Sequence, residues 1–128
     1  MNLKILFVIT AVVTLVFGVL FIVIPDQVYS WYGINGDMQL NYMGSLYGAL
    51  LIGIGLIAWL GRNAADSDSR KAIVLAFFIA DLIGFIIALV AQLHNIVNSL
   101  GWMTVGLYFF FTVTFGYFQF FKSKSSAG

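Results

Sequence analysis

Residues 72–93 read AIVLAFFIADLIGFIIALVAQL, an apolar run interrupted by one charged residue, Asp81. As a helix rising about 1.5 Å per residue, this stretch covers roughly 30 Å, the thickness of the hydrocarbon layer of a bilayer. Lipid offers the backbone no hydrogen bonds, so each amide must be satisfied inside the segment and the run must be helical. Three further runs of the same kind lie at 5–24, 40–60 and 101–121. The sequence therefore predicts an all-α integral membrane four-helix bundle, one transmembrane domain spanning 1–128. Composition agrees: the chain is 62% hydrophobic and 9% charged, with a mean hydropathy of +1.02. A soluble domain of 128 residues cannot hide so much apolar surface, and lipid has to be its solvent.

Charge sets the orientation. Lys4 precedes the first run, Arg62, Arg70 and Lys71 lie between the second and third, and Lys122 and Lys124 follow the fourth; these six are all the lysines and arginines of the chain. Basic residues are retained on the cytoplasmic side, next to the anionic leaflet, so both termini and the middle loop are expected inside, N-in and C-in. A cleaved signal peptide is the rival reading of the first run. That run is long for an h-region, and Val23-Ile24-Pro25 offers no small-residue cleavage site. The formal net charge of +1 gives no reason to expect nucleic acid as a partner. Without cysteine there is no disulfide, thiolate metal site or cysteine nucleophile.

The connectors carry stop and start signals for helices. Pro25 and Asp26 close the first span, Asp37 can cap the second, Gly61 suits its C-terminus, and Asp66 or Ser67 can cap the third. Arg70 and Lys71 oppose the dipole of the helix they start, a term of about 0.3 to 1 kcal/mol that membrane topology overrides. The connector 94–100 is short enough to make the third and fourth spans antiparallel neighbours, with Asn98 and Ser99 as caps for the fourth. In the first outer connector, Val28, Trp31 and Tyr32 share one helical face. This predicts a short interfacial helix over 26–32, ended by Gly33 and the Asn35-Gly36 turn, with Trp31 and Tyr32 in the headgroup region together with Trp102 at the fourth span. The same connector can alternatively act as a lid over a binding site.

Close helix approach in lipid depends on small residues. Gly44 and Gly48, with Gly55, Ser45 and Ala49 nearby, make such a face on the second span, and Ala76, Ala80, Gly84 and Ala88 recur at four-residue intervals on the third. These two faces are the expected sites of tightest contact, within one chain or between protomers. Gly18 and Gly84 are 66 residues apart, and Leu46-Tyr47 and Gly55 correspond to Leu107-Tyr108 and Gly116 at an offset of 61, a weak echo consistent with either duplication or chance. Nine aromatic rings between Tyr108 and Phe121 surround the fourth span. They suit lipid contact and gap filling, whereas a cofactor box would need paired ligands beside them.

Asp81 is the candidate functional residue, because a carboxylate near a bilayer centre costs about 2.5 to 3.5 kcal/mol and must face water, a partner or a bundle interior. Gly84, Ala88, Gln92 and Asn95 fall on its side of an extended helix, a small or polar stripe that can border a wetted half-channel. Two readings compete. In one, a neutral Asp81 donates a hydrogen bond to a neighbouring helix, with Thr10, Thr14, Ser45, Thr104, Tyr108, Thr112 and Thr114 as available partners. In the other, Asp81, Gln92 and Asn95 form a proton or cation pathway. His94, the only histidine, lacks companions for a haem or metal site and reads as an interfacial residue bonded to Asn95 or water. No metal or cofactor is expected.

Catalysis needs at least two positioned groups, and the intramembrane inventory is one acid with hydroxyls and amides; phosphate-loop and zincin spacings are missing. The chain is thus not expected to be an enzyme. Gly61-Arg62 at the end of the second span, Ala91-Gln92-Leu93 leaving the third, and Asn98-Ser99-Leu100-Gly101-Trp102 entering the fourth resemble small prokaryotic four-span membrane proteins, loosely the DoxX-like group. The resemblance implies a cell-membrane location and an accessory subunit, in some members linked to quinone-coupled oxidation; no residue of this chain matches a quinone or thiosulfate motif. The expectation is a noncatalytic homo-oligomer or accessory subunit in membrane lipid. The alternatives are a channel or small transporter using Asp81, or a binder of lipid- or quinone-type molecules.

Overall fold

The computed structural model describes residues 1–122, apart from the side chain of Lys122; Lys124, part of the basic C-terminal cluster, lies outside the described residues. The chain is all-α: α1 (Leu3–Val23), α2 (Pro25–Trp31), α3 (Met38–Gly61), α4 (Asp68–Leu93) and α5 (Gly101–Tyr117), the last running on into a π-helical turn (Phe118–Lys122). Among the described residues four helices are long and apolar enough to cross a membrane, Leu3–Val23, Met38–Gly61, Asp68–Leu93 and Gly101–Phe121. Their outward side chains fit that solvent. Ile83, Ile86 and Ile87 on α4 are 53, 53 and 64% exposed, a surface that water would not tolerate.

Helix ends follow local chemistry. Asn2 Oδ1 accepts from the Ile5 amide at 2.9 Å, Asp37 Oδ1 from Leu40 at 2.7 Å and Ser67 Oγ from Arg70 at 3.2 Å, so each of these helices has one of its orphan amides satisfied. α3 and α4 start two and four residues before the predicted apolar runs because these caps, and not hydropathy, decide where winding begins. Arg70 sits at the α4 N-terminus beside Asp66 at 3.3 Å, with Asp68 in the first turn, so nearby acids offset its opposition to the helix dipole. Gly61 departs from expectation. It stays inside α3 without a left-handed conformation, and Arg62 ends the helix by donating to the Trp59 carbonyl at 2.6 Å while stacking 3.8 Å over the Trp59 ring.

The chain divides into two compact units, Met1–Asn63 and Ala64–Gly128. In the first, α1 and α3 run antiparallel with backbones in close approach. A β-carbon at Gly48 would lie 2.6 Å from the Gly18 carbonyl, and one at Gly18 would lie 2.8 Å from that of Gly48. Leu15 and Thr14 cover Gly55, and Phe7 lies over Gly61. The glycine face of α3 is therefore taken up by α1. In the second unit α4 and α5 are antiparallel: Tyr108 rests on Gly84, Phe78 on Gly116, and Phe77 meets Phe115 edge-on at 5.3 Å. Both units thus repeat one plan, a hairpin of two long helices joined over glycine notches.

Candidate functional site

Asp81 lies midway along α4. Phe77, one turn before it, packs on Phe115, and Gly84, one turn after it, holds Tyr108. That register puts Asp81 in the α4/α5 seam, level with Phe111 and Thr112. It is half-buried, and among the described residues no hydrogen bond or ion pair within its unit ends on it. Two of the hydroxyls named as partners spend their donor on their own helix, Thr112 on the Tyr108 carbonyl at 2.6 Å and Thr114 on that of Phe110 at 2.7 Å, which leaves their oxygens as acceptors only. Thr14 in the first unit likewise donates to Thr10 at 2.7 Å. Membrane helices give threonine this internal acceptor four residues back, so these hydroxyls can still accept a hydrogen bond but have none left to donate.

The polar stripe is shorter than the helical extrapolation suggests. α4 ends at Leu93, and Asn95 takes a left-handed φ of 56°. The Ile96 amide reaches back to the Ala91 carbonyl at 3.0 Å and the Asn95 amide to that of Gln92 at 3.1 Å, a Schellman termination with asparagine in the usual glycine place. Asn95 therefore leaves the helical face and terminates α4. Gln92 stays on the stripe, 7% exposed, its Nε2 donating to the Asn98 carbonyl at 3.1 Å. Its Oε1 is buried against Gly101 without a hydrogen-bond donor. Asn98 turns its own Oδ1 to the Leu100 amide at 3.0 Å, nucleating the start of α5. His94 donates from Nδ1 to the Val90 carbonyl at 2.9 Å, at the last turn of α4, rather than to Asn95, one of the two partners expected for it.

Of the small residues on α4, Gly84 lies under Tyr108 and Ala88 is half-buried, whereas Ala72, Ala76 and Ala80 are exposed. On α3, Gly44 and Gly48 are both buried, and Gly44 is where Tyr29 enters. Sequence reading assigned Tyr29 no role, because the expected face of α2 ran through Val28, Trp31 and Tyr32. Instead Val28 and Tyr29 are buried, Trp31 is 41% exposed and Tyr32 half-buried. Tyr29 donates its hydroxyl to the Leu40 carbonyl at 2.7 Å, and its ring meets Phe21, which in turn meets Tyr47. The tight spacing of Gly36 and Gly44 around one ring was the available signal. Burial raises the Tyr29 hydroxyl above its ordinary value of 10.0, the Asp26 charge adds to this, and a hydrogen bond from the Gly44 backbone works against it. Trp102 is 50% exposed at the first turn of α5.

Among the described residues no three histidine, cysteine or acidic side chains gather where they could hold a metal ion. No family model, curated protein or solved structure matches the chain.

Proposed function

We propose that this multi-pass membrane protein works without catalysis, as a homo-oligomer or as an accessory subunit docked to other membrane helices. The observation that carries this reading is the cytoplasmic half of α4, where Ala72, Ala76 and Ala80 are exposed at four-residue intervals. Association in lipid gains little from hydrophobicity and much from close backbone approach over small side chains, and this stretch offers that approach to a helix from another chain. The resemblance to the DoxX-like group, itself associated with accessory subunits, points the same way. Cysteines placed at Ala76 or Ala80 should form crosslinks in native membranes, and Ala80→Phe should abolish them. Crosslinking that yields isolated monomers alone would remove this reading.

A second reading draws on Asp81. An acid held in the hydrocarbon layer without a bond from its own unit suits a proton or cation pathway. Asp81→Asn keeps the shape and removes titration, so flux into proteoliposomes should fall to background. Unchanged flux would end the conduction reading.

A further inference from the structure

The connector from α2 to α3 carries the pair Asn35-Gly36, and the packing around it explains the glycine. A β-carbon at Gly36 would lie 2.9 Å from Cδ2 of the Tyr29 ring, 3.1 Å from Asp26 Oδ1 and 3.2 Å from Asn41 Oδ1. A side chain there would press on the ring that enters α3 at Gly44. The amide side of the same residue is open. Asn35 and Gly36 are both exposed, in irregular backbone between Tyr32 at the end of α2 and the α3 cap Asp37. Among the described residues no hydrogen bond ends on the Gly36 amide or on the Asn35 side chain. Asn98 is the contrast within the chain. It too precedes a small residue, Ser99, but its Oδ1 accepts from the Leu100 amide at 3.0 Å and its carbonyl from Gln92 Nε2 at 3.1 Å.

We infer that Asn35 is a site of spontaneous modification, converting through a succinimide to aspartate and isoaspartate, and that the change loosens the seat of Tyr29. Base takes the Gly36 amide proton, the nitrogen attacks Asn35 Cγ, and the Cγ–Nδ2 bond breaks with release of ammonia. Water then adds to one of the two imide carbonyls. Ring opening at Cγ leaves aspartate, and opening at the main-chain carbonyl leaves isoaspartate, with the chain routed through Cβ and Cγ. Nothing is oxidised or reduced; an amide becomes a carboxylate, and water is exchanged for ammonia. Without a β-carbon, Gly36 puts no steric bar in the way of ring closure. The residue that Tyr29 requires is therefore the one that makes its neighbour labile. Either product adds a negative charge to a connector that already holds Asp26 and Asp37 and no lysine or arginine. Isoaspartate also lengthens the main chain just before Gly36, which moves the glycine off the Tyr29 ring. The inference is independent of the oligomerisation and conduction readings.

The test holds the purified protein in detergent in mildly alkaline and mildly acidic buffer and follows its digests by mass spectrometry, beside a free peptide of residues 31–40. Asn35 should convert in the folded protein at a rate of the same order as in the peptide, faster in the alkaline buffer, with isoaspartate among the products, while Asn98 stays intact. Aged wild type should melt at a lower temperature than fresh protein. Asn35→Gln, whose larger ring closes slowly, should melt unchanged after the same incubation. An Asn35 that persists in the folded protein while the peptide converts, or conversion of Asn98 at the same rate, would overturn the site. Conversion without a fall in melting temperature would overturn its effect on Tyr29.

Discussion

Single residues set the helix spacing in both units. Because a β-carbon at Gly48 meets a backbone carbonyl and not a movable side-chain tip, Gly48→Ala should force α1 and α3 apart at a cost of about 1 to 3 kcal/mol. Gly53 has nothing within 4 Å of the place a β-carbon would take, so Gly53→Ala should leave the melting temperature in detergent unchanged or raise it. Comparing the two variants by thermal melting separates close approach from ordinary helix propensity. Tyr29→Phe removes the bond to Leu40 and should cost about 1 kcal/mol. The same residue gives a pH effect of definite sign. Its hydroxyl is raised in the folded state, so its contribution is complete below the ordinary value of 10.0 and is lost as pH climbs through the higher folded value. Alkaline melting curves of the wild type should therefore show a loss above pH 10.0 that Tyr29→Phe lacks.

At the scale of elements, caps decide boundaries. Asp37→Ala and Ser67→Ala should each destabilise by about 0.5 to 2 kcal/mol, and Asn95→Gly should be neutral or stabilising where Asn95→Ala is not, because only the latter is strained at a φ of 56°. Melting or hydrogen exchange at the helix ends checks all four. The cap at Asp37 was readable because a side-chain acceptor before a helical run has one obvious use, whereas between Asp66 and Ser67 it took the structure to select Ser67. Four apolar helices and the short α2 were legible for a similar reason: hydropathy and proline act locally. What the sequence concealed depends on neighbours distant in the chain. Gly61 did not take a left-handed cap position and Asn95 did, because cap geometry is fixed by the backbone beyond the cap, and Tyr29 was hidden because its partner Leu40 lies across a loop. The position of Asp81 in its span was plain, but that Thr112 and Thr114 turn their hydroxyl hydrogens back to their own helix was not.

For the molecule as a whole, the boundary between Asn63 and Ala64 is the natural cut. Each side holds a complete helical hairpin, so the two halves expressed as separate chains should both insert, as protease protection in membranes would reveal. Reporters fused after residue 65 and after residue 122 should fall on the same side as the N-terminus if the six basic residues govern insertion. The π-helical turn that ends the last span bears on how such a protein changes length. Wide turns of this type arise when a helix accommodates one surplus residue. Removing Gln119 should let the terminal coil tighten to ordinary α-helix while Gly101–Tyr117 keeps its place, so an indel at this tail is tolerated where the same change in mid-span would re-aim every ring beyond it.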